Sequence, residues 1–536
     1  MYSMSQGEGI RCAKAMTRIL EKEGVKYVFG HPGEQILPFY EALKNSNLEH
    51  ILMRHEQGAA HAADGYARAS GGMGVCIAAA GPGALNLVMG VATAYKDSVP
   101  LLVITADVST KLKGKNTFQD VKQLDVFKPI TLKSFDIKSP EDGVLKLKKA
   151  IKILKTDKTG PIHLNIPKDV LTADLDKSLL GTESSSPNLE LFKLQEVFNL
   201  LEKSDKLLII AGAGVIWSGA ADKIRKFALE NEVPVATTYH ARGIIPEDHP
   251  LALGLIGLRG TDAANYAGKN ADVVLAVGCR LSERTIVGLG NAVLIHVNMD
   301  GNVLQGEFKI KADAGEFMDQ IQRVKLKSTV EWIKEVQNHN SHHNINTDYP
   351  GVPMKPQRAI NEILNASKDV IIVNDAGSHT TWVNFLRTVQ EPCSLLFSGG
   401  FGPMGYGLPA SVGASLARPE KNILLVVGDG GFQMTIQELA VISELKLPVL
   451  IAVINNQELG IIKQWQELFY DGPYQVALEN PDFVPLAQAY HIEGQQINNP
   501  EQISDIVEKV LKLKKPYLLE FVVDRKEGIP LPEVSK

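Results

Sequence analysis

The sequence predicts an α/β protein made of three doubly wound, parallel-sheet domains. At 536 residues the chain is too long for a single hydrophobic core. Short apolar runs that stop at glycine-rich turns and continue into helical patterns recur along it, as expected of strands buried on both faces by crossover helices. We place the three domains at residues 5–172, 193–325 and 356–536.

Composition limits the classes of partner. A net charge of −5 with interspersed signs argues against nucleic acid as the main partner, so we expect small-molecule substrates. No apolar run reaches the length of a bilayer span and the first residues lack a signal-peptide pattern, so we expect no membrane association and a cytoplasmic location. The four cysteines are far apart, which predicts neither a disulfide framework nor a zinc site.

The first domain begins with a helix and a strand at 27–29 that runs into a turn ending at Gly33. A second strand, 51–53, precedes Glu56 and an alanine-rich helix. An acidic residue in the first turn of a helix commonly interacts favourably with the helix dipole and has no catalytic role. The alternative is chemical, because Glu56 lies between a buried strand and a closely packing helix, away from water.

The next segment repeats one design. A strand at 75–80, the turn 81–83, a helix, Pro100 and another apolar strand follow each other. The likeness between residues 99–102 and 447–450 hints that the first and third domains are related.

A polar loop and a strand exit complete the first domain. Residues 114–120, including Phe118 and Gln119, are predicted to form a loop, which by itself is more typical of a surface connection than of a site. Lys168 follows the strand 160–167. Residues 173–192 are predicted to be a linker.

The middle domain carries a weak dinucleotide signal. A strand at 206–211 runs into Gly212 and Gly214, but the third glycine of the motif is misplaced. Arg284 lies past the strand 273–277, where it would meet an anion, although a solvated arginine is the default. Residues 326–356 are predicted to be helical and then very polar. The polar part contains His339, His342 and His343, for which a solvated linker is favoured over a metal site.

The strongest signal lies in the third domain, after a glycine-rich segment at 398–409 that suits a ligand-contacting loop. A strand at 423–427 stops at Gly428-Asp429-Gly430-Gly431, a helix is predicted at 435–447, and a strand at 449–454 delivers Asn455 and Asn456. Parallel strands joined by a crossover end on the same edge, so Asp429 and Asn456 are expected to be neighbours. Oxygen ligands beside a phosphate-binding turn suit Mg²⁺. An ordinary turn followed by a loop is the alternative.

This arrangement resembles the thiamine diphosphate (ThDP) motif. Across essentially the whole chain, and most specifically at 459–470, the sequence resembles acetolactate synthase catalytic subunits, among the pyruvate oxidase-like ThDP enzymes. The resemblance implies that fold type, with Mg²⁺ bound by Asp429, the Asn456 side chain and the Glu458 main-chain carbonyl. It also implies that Glu56 bonds to the aminopyrimidine ring of ThDP and activates it.

The resemblance implies further site residues. Cofactor binding would also use Gly33, His379, Met404, Gly428, Gly430 and Gly431. The substrate region would use Phe118, Gln119, Lys168, Arg284 and Trp465, although a helix that packs Trp465 into a core is the alternative for the last. For FAD, Gly212, Gly214 and Arg280 fit the family, but Asn298 and Arg259 depart from it, so FAD is left open.

The function implied by the resemblance is decarboxylation of pyruvate and ligation to a second 2-oxo acid, giving 2-acetolactate for branched-chain amino acid biosynthesis. It implies a homodimer or homotetramer, with Glu56 of one chain facing the Asp429 site of the other, and it leaves a regulatory small subunit open. The alternatives are another ThDP-dependent decarboxylase, oxidase or carboligase, or a non-catalytic ThDP-binding paralogue. Glyoxylate carboligase is disfavoured because that family lacks the glutamate at Glu56.

Overall fold

The computed structural model describes residues 9–531 except 157, 182–193 and 328–329. Three six-stranded sheets, each parallel throughout, confirm the predicted fold class. In the described part of the chain, no helix combines the length and the apolar character that crossing a bilayer requires. All four cysteines are described and free.

The first unit holds one six-stranded sheet and a small antiparallel strand pair. Its strands are β1 (Gly9–Arg11), β2 (Tyr27–Gly30), β3 (Glu49–Leu52), β4 (Gly74–Ala78), β5 (Leu101–Asp107), β6 (Lys133–Asp136), β7 (Pro161–Pro167) and β8 (Asp174–Asp176). Its helices are α1 (Cys12–Lys22), α2 (Leu37–Lys44), α3 (Glu56–Ser70), α4 (Pro82–Asn86), α5 (Val88–Asp97), α6 (Gln123–Phe127), α7 (Pro140–Thr156) and α8 (Lys168–Thr172). The sheet order is β3-β2-β4-β5-β7-β6.

The middle unit has the strand order typical of dinucleotide-binding folds, β11-β10-β9-β12-β13-β14. Its strands are β9 (Leu207–Ala211), β10 (Val235–Thr237), β11 (Ala252–Leu255), β12 (Val273–Val277), β13 (Val293–Val297) and β14 (Phe308–Ile310). Its helices are α9 (Leu194–Lys203), α10 (Ala213–Trp217), α11 (Ala221–Glu230), α12 (Asp262–Asn270), α13 (Glu283–Ile286), α14 (Ala314–Ile321) and α15 (Val330–Gln337).

The third unit repeats the topology of the first, with the order β16-β15-β17-β18-β20-β19. Its strands are β15 (Val370–Asn374), β16 (Leu395–Leu396), β17 (Asn422–Gly428), β18 (Val449–Asn455), β19 (Glu493–Ile497) and β20 (Tyr517–Val522). Its helices are α16 (Pro356–Ala366), α17 (Ser378–Leu386), α18 (Gly407–Ala417), α19 (Asp429–Met434), α20 (Leu439–Glu444), α21 (Gly460–Phe469), α22 (Phe483–Ala489) and α23 (Ile503–Lys512).

Two predicted linkers are partly wrong. In the first, β8 pairs antiparallel with β1, so residues 174–176 belong to the first unit, and residues 182–192 of that linker lie outside the described residues. In the second, α15 packs on the middle sheet, because Trp332 is buried and donates its indole N–H to the Leu207 carbonyl at 3.1 Å. His339 stacks on Tyr266 with ring centroids 3.8 Å apart, whereas His342 is exposed, so the polar part of this stretch is packed only in places.

The crossover after β17 also differs from its prediction. The helix expected at 435–447 begins already at Asp429 and is divided into α19, a 3₁₀ turn at 436–438 and α20. Because α19 starts at the strand end, Asp429 stands in a first helical turn rather than in a loop.

Helices α3 and α18 join the first and third units. A Cβ atom on Gly65 would overlap the main chain of Ala410, and one on Gly413 would overlap the carbonyl oxygen of Ala62. Glycines at these points therefore let the two helix backbones touch. The buried apolar cluster is continuous across the contact and includes strand residues of both sheets, such as Val103 and Leu425.

Candidate active site

The two strand ends predicted to converge do so. Gly428 of β17 lies opposite Ile454 of β18, and the main-chain N–H of Gln457 donates to Asp429 Oδ2 at 2.9 Å. Asp429 is buried, with 2% of its surface exposed. The loop that carries Asn456 is thus fastened to the Asp429 carboxylate.

Asn480 is a residue of this site that the sequence did not reveal. Its side-chain amide donates to Asp429 Oδ2 at 2.7 Å and to Asn455 Oδ1 at 3.0 Å. Burial raises the pKa of Asp429, and the hydrogen bond from Asn480 opposes that rise. No local pattern marks Asn480, because it reaches the site from a segment 51 residues beyond Asp429.

The remaining predicted metal ligands lie on the same loop. Asn456 Oδ1 accepts the main-chain N–H of Glu458 at 3.2 Å, and the Glu458 carboxylate pairs with Lys463 at 2.6 Å. Among the described residues, no group of three or more His, Cys, Asp and Glu side chains is arranged to hold a metal. A set of one carboxylate, one amide and one main-chain carbonyl is the hard oxygen donor set that Mg²⁺ accepts when phosphate and water complete its shell.

The glycine turn lies beneath two predicted cofactor-binding side chains. A Cβ atom on Gly428 would lie 3.3 Å from the His379 ring, and one on Gly430 would lie 3.2 Å from the Met404 methyl group. His379 is buried, burial lowers its pKa to about 4, and its Nε2 atom has no hydrogen-bond partner in the described structure. An unpartnered buried nitrogen beside a glycine turn fits a site that receives a polar ligand group, as the diphosphate of ThDP would be.

Asp375, at the end of β15, fixes the glycine-rich segment. Its carboxylate accepts the main-chain N–H groups of Ala376, Gly405 and Gly407 at 2.6, 3.0 and 2.8 Å. Burial raises the pKa of Asp375 to about 6. The sequence places Asp375 after a strand but gives no sign that it holds the residues that follow Met404, because that contact joins segments 30 residues apart.

Glu56 opens α3 at the carboxyl edge of the first sheet. Its Oε2 atom accepts the Asn86 amide at 2.9 Å, and a Cβ atom on Gly83 would lie 3.1 Å from its Oε1 atom. A Cβ atom on Gly33 would overlap the Ala79 side chain, so glycine there lets the turn after β2 meet the end of β4. Glu56, Gly33 and the turn at 81–83 therefore form one local group.

Two predicted substrate residues lie at the same edge. Gln119 adopts a positive φ of 63°, and its main-chain oxygen lies 2.8 Å from the position of a Cβ atom on Gly81. Its side-chain Oε1 is buried with no partner in the described structure. Lys168 follows β7 and pairs with Glu34 at 3.0 Å, whereas Phe118 is 80% exposed.

Arg284 lies elsewhere, at a cavity of the middle unit. This cavity has a volume of about 620 Å³ and is also lined by Gly214, Arg280 and Asn298. Arg280 donates to the Lys96 carbonyl at 2.5 Å, which brings the first unit to the cavity wall. Gly212 is not part of the lining, because its Cα hydrogen faces Cys279, where a Cβ atom would overlap.

Trp465 is not part of a core. Helix α21 buries none of its residues, and Trp465 stacks on Phe469 with ring centroids 5.3 Å apart. Leu468 on this helix and Tyr470 just after it are also exposed. The alternative of a core helix is therefore wrong.

Within the described chain the site residues form three groups. Glu56 and its turn belong to the first sheet, Asp429 and its loop to the third, and Arg284 to the middle cavity. No hydrogen bond or ion pair of the described residues connects Glu56 with Asp429 directly.

Comparison with known proteins identifies the family. Residues 10–126 match the N-terminal TPP binding domain of thiamine pyrophosphate enzymes, residues 194–321 the central domain, and residues 375–521 the C-terminal TPP binding domain. A probable acetolactate synthase large subunit of Methanocaldococcus jannaschii is 40% identical, with 97% of this chain and 93% of that protein aligned.

Bacterial relatives carry the same description. The acetolactate synthase large subunit of Lactococcus lactis is 35% identical over 96% of this chain and 93% of its own length. The isozyme 2 large subunit of Escherichia coli is 34% identical over 96% of both. With three matching domains in order and relatives aligned over nearly their full length, the chain belongs to the thiamine pyrophosphate enzymes, in the family of acetolactate synthase large subunits.

Proposed function

We propose that this chain decarboxylates pyruvate and joins the remaining two-carbon unit to a second 2-oxo acid, giving 2-acetolactate. The observation that carries the proposal is the fastening of the Asn456 loop to Asp429, opposite a glycine turn and an unpartnered buried His379 nitrogen. An oxygen donor set beside a phosphate-sized turn suits a metal–diphosphate pair.

The third unit would hold the diphosphate end of ThDP. Asp429, the side chain of Asn456 and the main-chain carbonyl of Glu458 would bind Mg²⁺, and Gly428, Gly430, Gly431 and His379 would contact the diphosphate. Met404 would support the cofactor from the segment that Asp375 fixes.

The first unit would hold the aminopyrimidine end. When bound, ThDP supplies a nucleophilic carbon that adds to the keto group of pyruvate and accepts the electron pair released with CO₂. Glu56 would hold a proton on its carboxylate toward the aminopyrimidine ring, in a position set by Asn86, and Gly33 would allow the ring to approach. This is general acid–base work by a fixed carboxyl group.

Five residues would serve the substrates. Lys168 and Arg284 would bind the carboxylate of the second 2-oxo acid, because a cation that retains the acceptor near the reacting carbon favours ligation by proximity. Gln119 and Phe118 would line the substrate region, and Trp465 would shape the acceptor pocket. The exposure of Phe118 and of the α21 face supports their use in contacts made outside this single chain.

The middle cavity is the site for which FAD is proposed. A volume of about 620 Å³ suits a large cofactor, Gly214 is part of the lining, and Arg280 supplies positive charge. Asn298 stands where the family commonly has an aspartate, and its side-chain amide donates to the Cys279 carbonyl at 2.7 Å. We give the volume and lining of the cavity more weight than the presence of Asn298 in place of an aspartate.

The proposed assembly rests on exposed apolar side chains near the predicted site residues of both units, namely Phe118 in the first unit and those of helix α21 in the third. We infer a homodimer, or a tetramer of two such dimers, in which Glu56 of one chain faces the Asp429 site of another. The description of the relatives as large subunits supports a further, smaller partner subunit.

The function is tested by identifying the product. Purified protein is incubated with ThDP, Mg²⁺ and pyruvate, with and without FAD, and products are identified by proton NMR. We expect 2-acetolactate, and we expect its formation to fall at least about 100-fold in Glu56→Gln because the acid–base group is removed. A matched control is Glu41→Gln, which removes an exposed carboxylate of α2 in the same unit that accepts the Asn45 amide at 3.4 Å.

Other products would replace the proposal. Acetaldehyde as the main product would identify a decarboxylase, and acetate or acetyl phosphate an oxidase. Binding of ThDP without turnover would identify a non-catalytic paralogue. A rate that does not depend on FAD would remove FAD from the reaction.

A further inference from the structure

Glu438 is a fully buried carboxyl group of the third unit, at the 3₁₀ turn between α19 and α20. A buried charged group is costly unless hydrogen bonds replace its hydration. Glu438 finds its partners in the first unit, not in its own.

Both carboxylate oxygens accept main-chain N–H groups immediately before Glu56. Oε2 accepts the N–H of Arg54 and Oε1 that of His55, each at 3.1 Å. A Cβ atom on Gly58 would overlap Oε1, so glycine at that position leaves room for the carboxylate. The Glu438 carboxylate therefore lies against the N-terminus of α3.

These contacts determine how the main chain enters Glu56. His55 is the N-cap residue of α3, and Glu56 is its first helical residue. With the two preceding peptide groups held by Glu438 and the Glu56 carboxylate held by Asn86 at 2.9 Å, Glu56 is fixed from both sides. A negative group at a helix N-terminus is also favoured by the helix dipole.

We propose that Glu438 is a positioning residue for Glu56: by binding the peptide groups of residues 54 and 55, it lets the third unit set the direction of the Glu56 carboxylate in the first. The proposal rests on the function proposed above, because it concerns Glu56 as the acid–base group. It adds a residue whose side chain binds the two peptide N–H groups that immediately precede α3.

The test compares Glu438→Gln with Gly58→Ala and with a neighbouring control. The glutamine variant keeps one acceptor oxygen but turns an NH₂ group toward a peptide donor. Gly58→Ala keeps the carboxyl group and displaces it. The control, Glu444→Gln, removes a neighbouring carboxylate that bonds only the Arg54 side chain, not a peptide group.

Two measurements are made at pH 8. Burial raises the pKa of Glu438 to about 7, so the carboxylate is largely ionised at this pH. Amide hydrogen–deuterium exchange of the cofactor-free protein reports the peptide containing residues 54–58. Deuterium exchange at the C2 atom of ThDP, at saturating cofactor, reports how well Glu56 is placed.

We expect faster amide exchange in residues 54–58 and C2 exchange about 10- to 100-fold slower in both Glu438→Gln and Gly58→Ala, since misplacing a catalytic group by an ångström can cost about 100-fold. Glu444→Gln should resemble wild type in both. Unchanged amide exchange would overturn the proposal. Faster amide exchange with unchanged C2 exchange would also overturn it, because Glu438 would then be structural only.

The outcomes separate this proposal from the proposed function. If Glu56→Gln does not slow C2 exchange, the role of Glu56 fails and the proposal fails with it. If Glu56→Gln slows C2 exchange while the Glu438 and Gly58 variants do not, only the positioning role of Glu438 fails. Should Glu438→Gln not fold, Gly58→Ala decides the question with the carboxyl group intact.

Discussion

The first and third sheets share one strand order but differ at their carboxyl edges. Leu101 of β5 pairs with Gly74 of β4, and Val449 of β18 pairs with Ile423 of β17, each one residue after a proline. Counted from these pairs, Ala80 occupies the position of Asp429, and Val108 the position of Asn456. One edge thus carries oxygen ligands where the other carries apolar side chains.

Because their carboxyl edges differ, the related first and third sheets are expected to have different roles. In the third sheet the turn after the third strand carries Asp429, and the loop after the fourth carries Asn456. In the first sheet the equivalent turn, at 81–83, faces Glu56 instead, and Gln123 holds it by accepting the Gly81 N–H at 3.0 Å. These differences fit the proposed metal–diphosphate site at the edge of the third sheet and the proposed acid–base site at the edge of the first, and ThDP would need both.

The largest expected effects come from variants that each remove one side chain from one of the two sheet edges, and from the heterodimer that combines them. Glu56→Gln and Asp429→Ala should each reduce acetolactate formation at least about 100-fold, because one removes the acid–base group and the other a metal ligand. A heterodimer of the two variants, co-expressed with different affinity tags and purified on both, should recover about half of wild-type activity. In a two-fold dimer one of its two sites would then combine an intact Glu56 with an intact Asp429.

The control heterodimer pairs Asp429→Ala with the double variant. It contains an intact Glu56 but no intact Asp429, and it should be inactive. If the mixed dimer is as inactive as this control, both edges act within one chain. If no heterodimer survives the two affinity steps, the proposed dimer itself is wrong.

The strand ends could be read from the sequence because they depend on short-range patterns. An apolar run that stops at Gly428-Asp429 and another that stops at Asn455-Asn456 fix which residues meet at an edge once the strands are parallel. Asn480, Asp375 and Glu438 could not be read in this way. Each acts on residues far away in the chain, through a contact that only the packing of separate elements creates.

Two predicted boundaries differ from the structure for a related reason. The prediction starts this helix at residue 435, because glycines 430 and 431 disfavour a helix by themselves, whereas α19 begins at Asp429 with these glycines next to Asp375 and Met404. The prediction ends the middle domain at residue 325 because mostly polar residues follow, but the helix around Trp332 buries Trp332 and Val336 on the middle sheet. The roles of Lys168, Arg284 and Trp465 remain predictions.

A second prediction concerns the contact that holds the two related sheets together. Gly413→Ala adds a methyl group that would overlap the carbonyl oxygen of Ala62, so α18 must withdraw from α3. We expect a loss of about 3 kcal/mol in unfolding free energy, the upper range for overpacking, and a separation of one urea transition into two. Gly351→Ala is the control, because nothing lies within 4 Å of its Cβ position. Coincident transitions in both variants would mean that α3 and α18 do not couple the sheets.

The smallest predicted effect is a pH dependence located in the same contact. His61 of α3 is buried against Tyr406, with ring centroids 5.4 Å apart. Burial, and secondarily the positive charge of Arg68, lowers its pKa from the ordinary 6.5 to about 3. Below pH 6.5 the unfolded chain therefore binds a proton at His61 that the folded chain does not, and this group's contribution to stability is lost as the pH falls toward 3.

A leucine at position 61 binds no proton in either the folded or the unfolded chain, so the pH dependence caused by His61 should disappear. Relative to wild type, His61→Leu should gain about 2 kcal/mol of unfolding free energy between pH 7.5 and pH 5, because one proton over 1.5 pH units below 6.5 corresponds to that amount. Urea midpoints at the two pH values measure the gain, whatever the fixed cost of the substitution itself. His342→Leu, which alters an exposed ring, should show no such change. An equal pH dependence in all three proteins would mean that His61 is protonated in the folded state, and the contact between the two sheets would then have to admit water or a counter-charge.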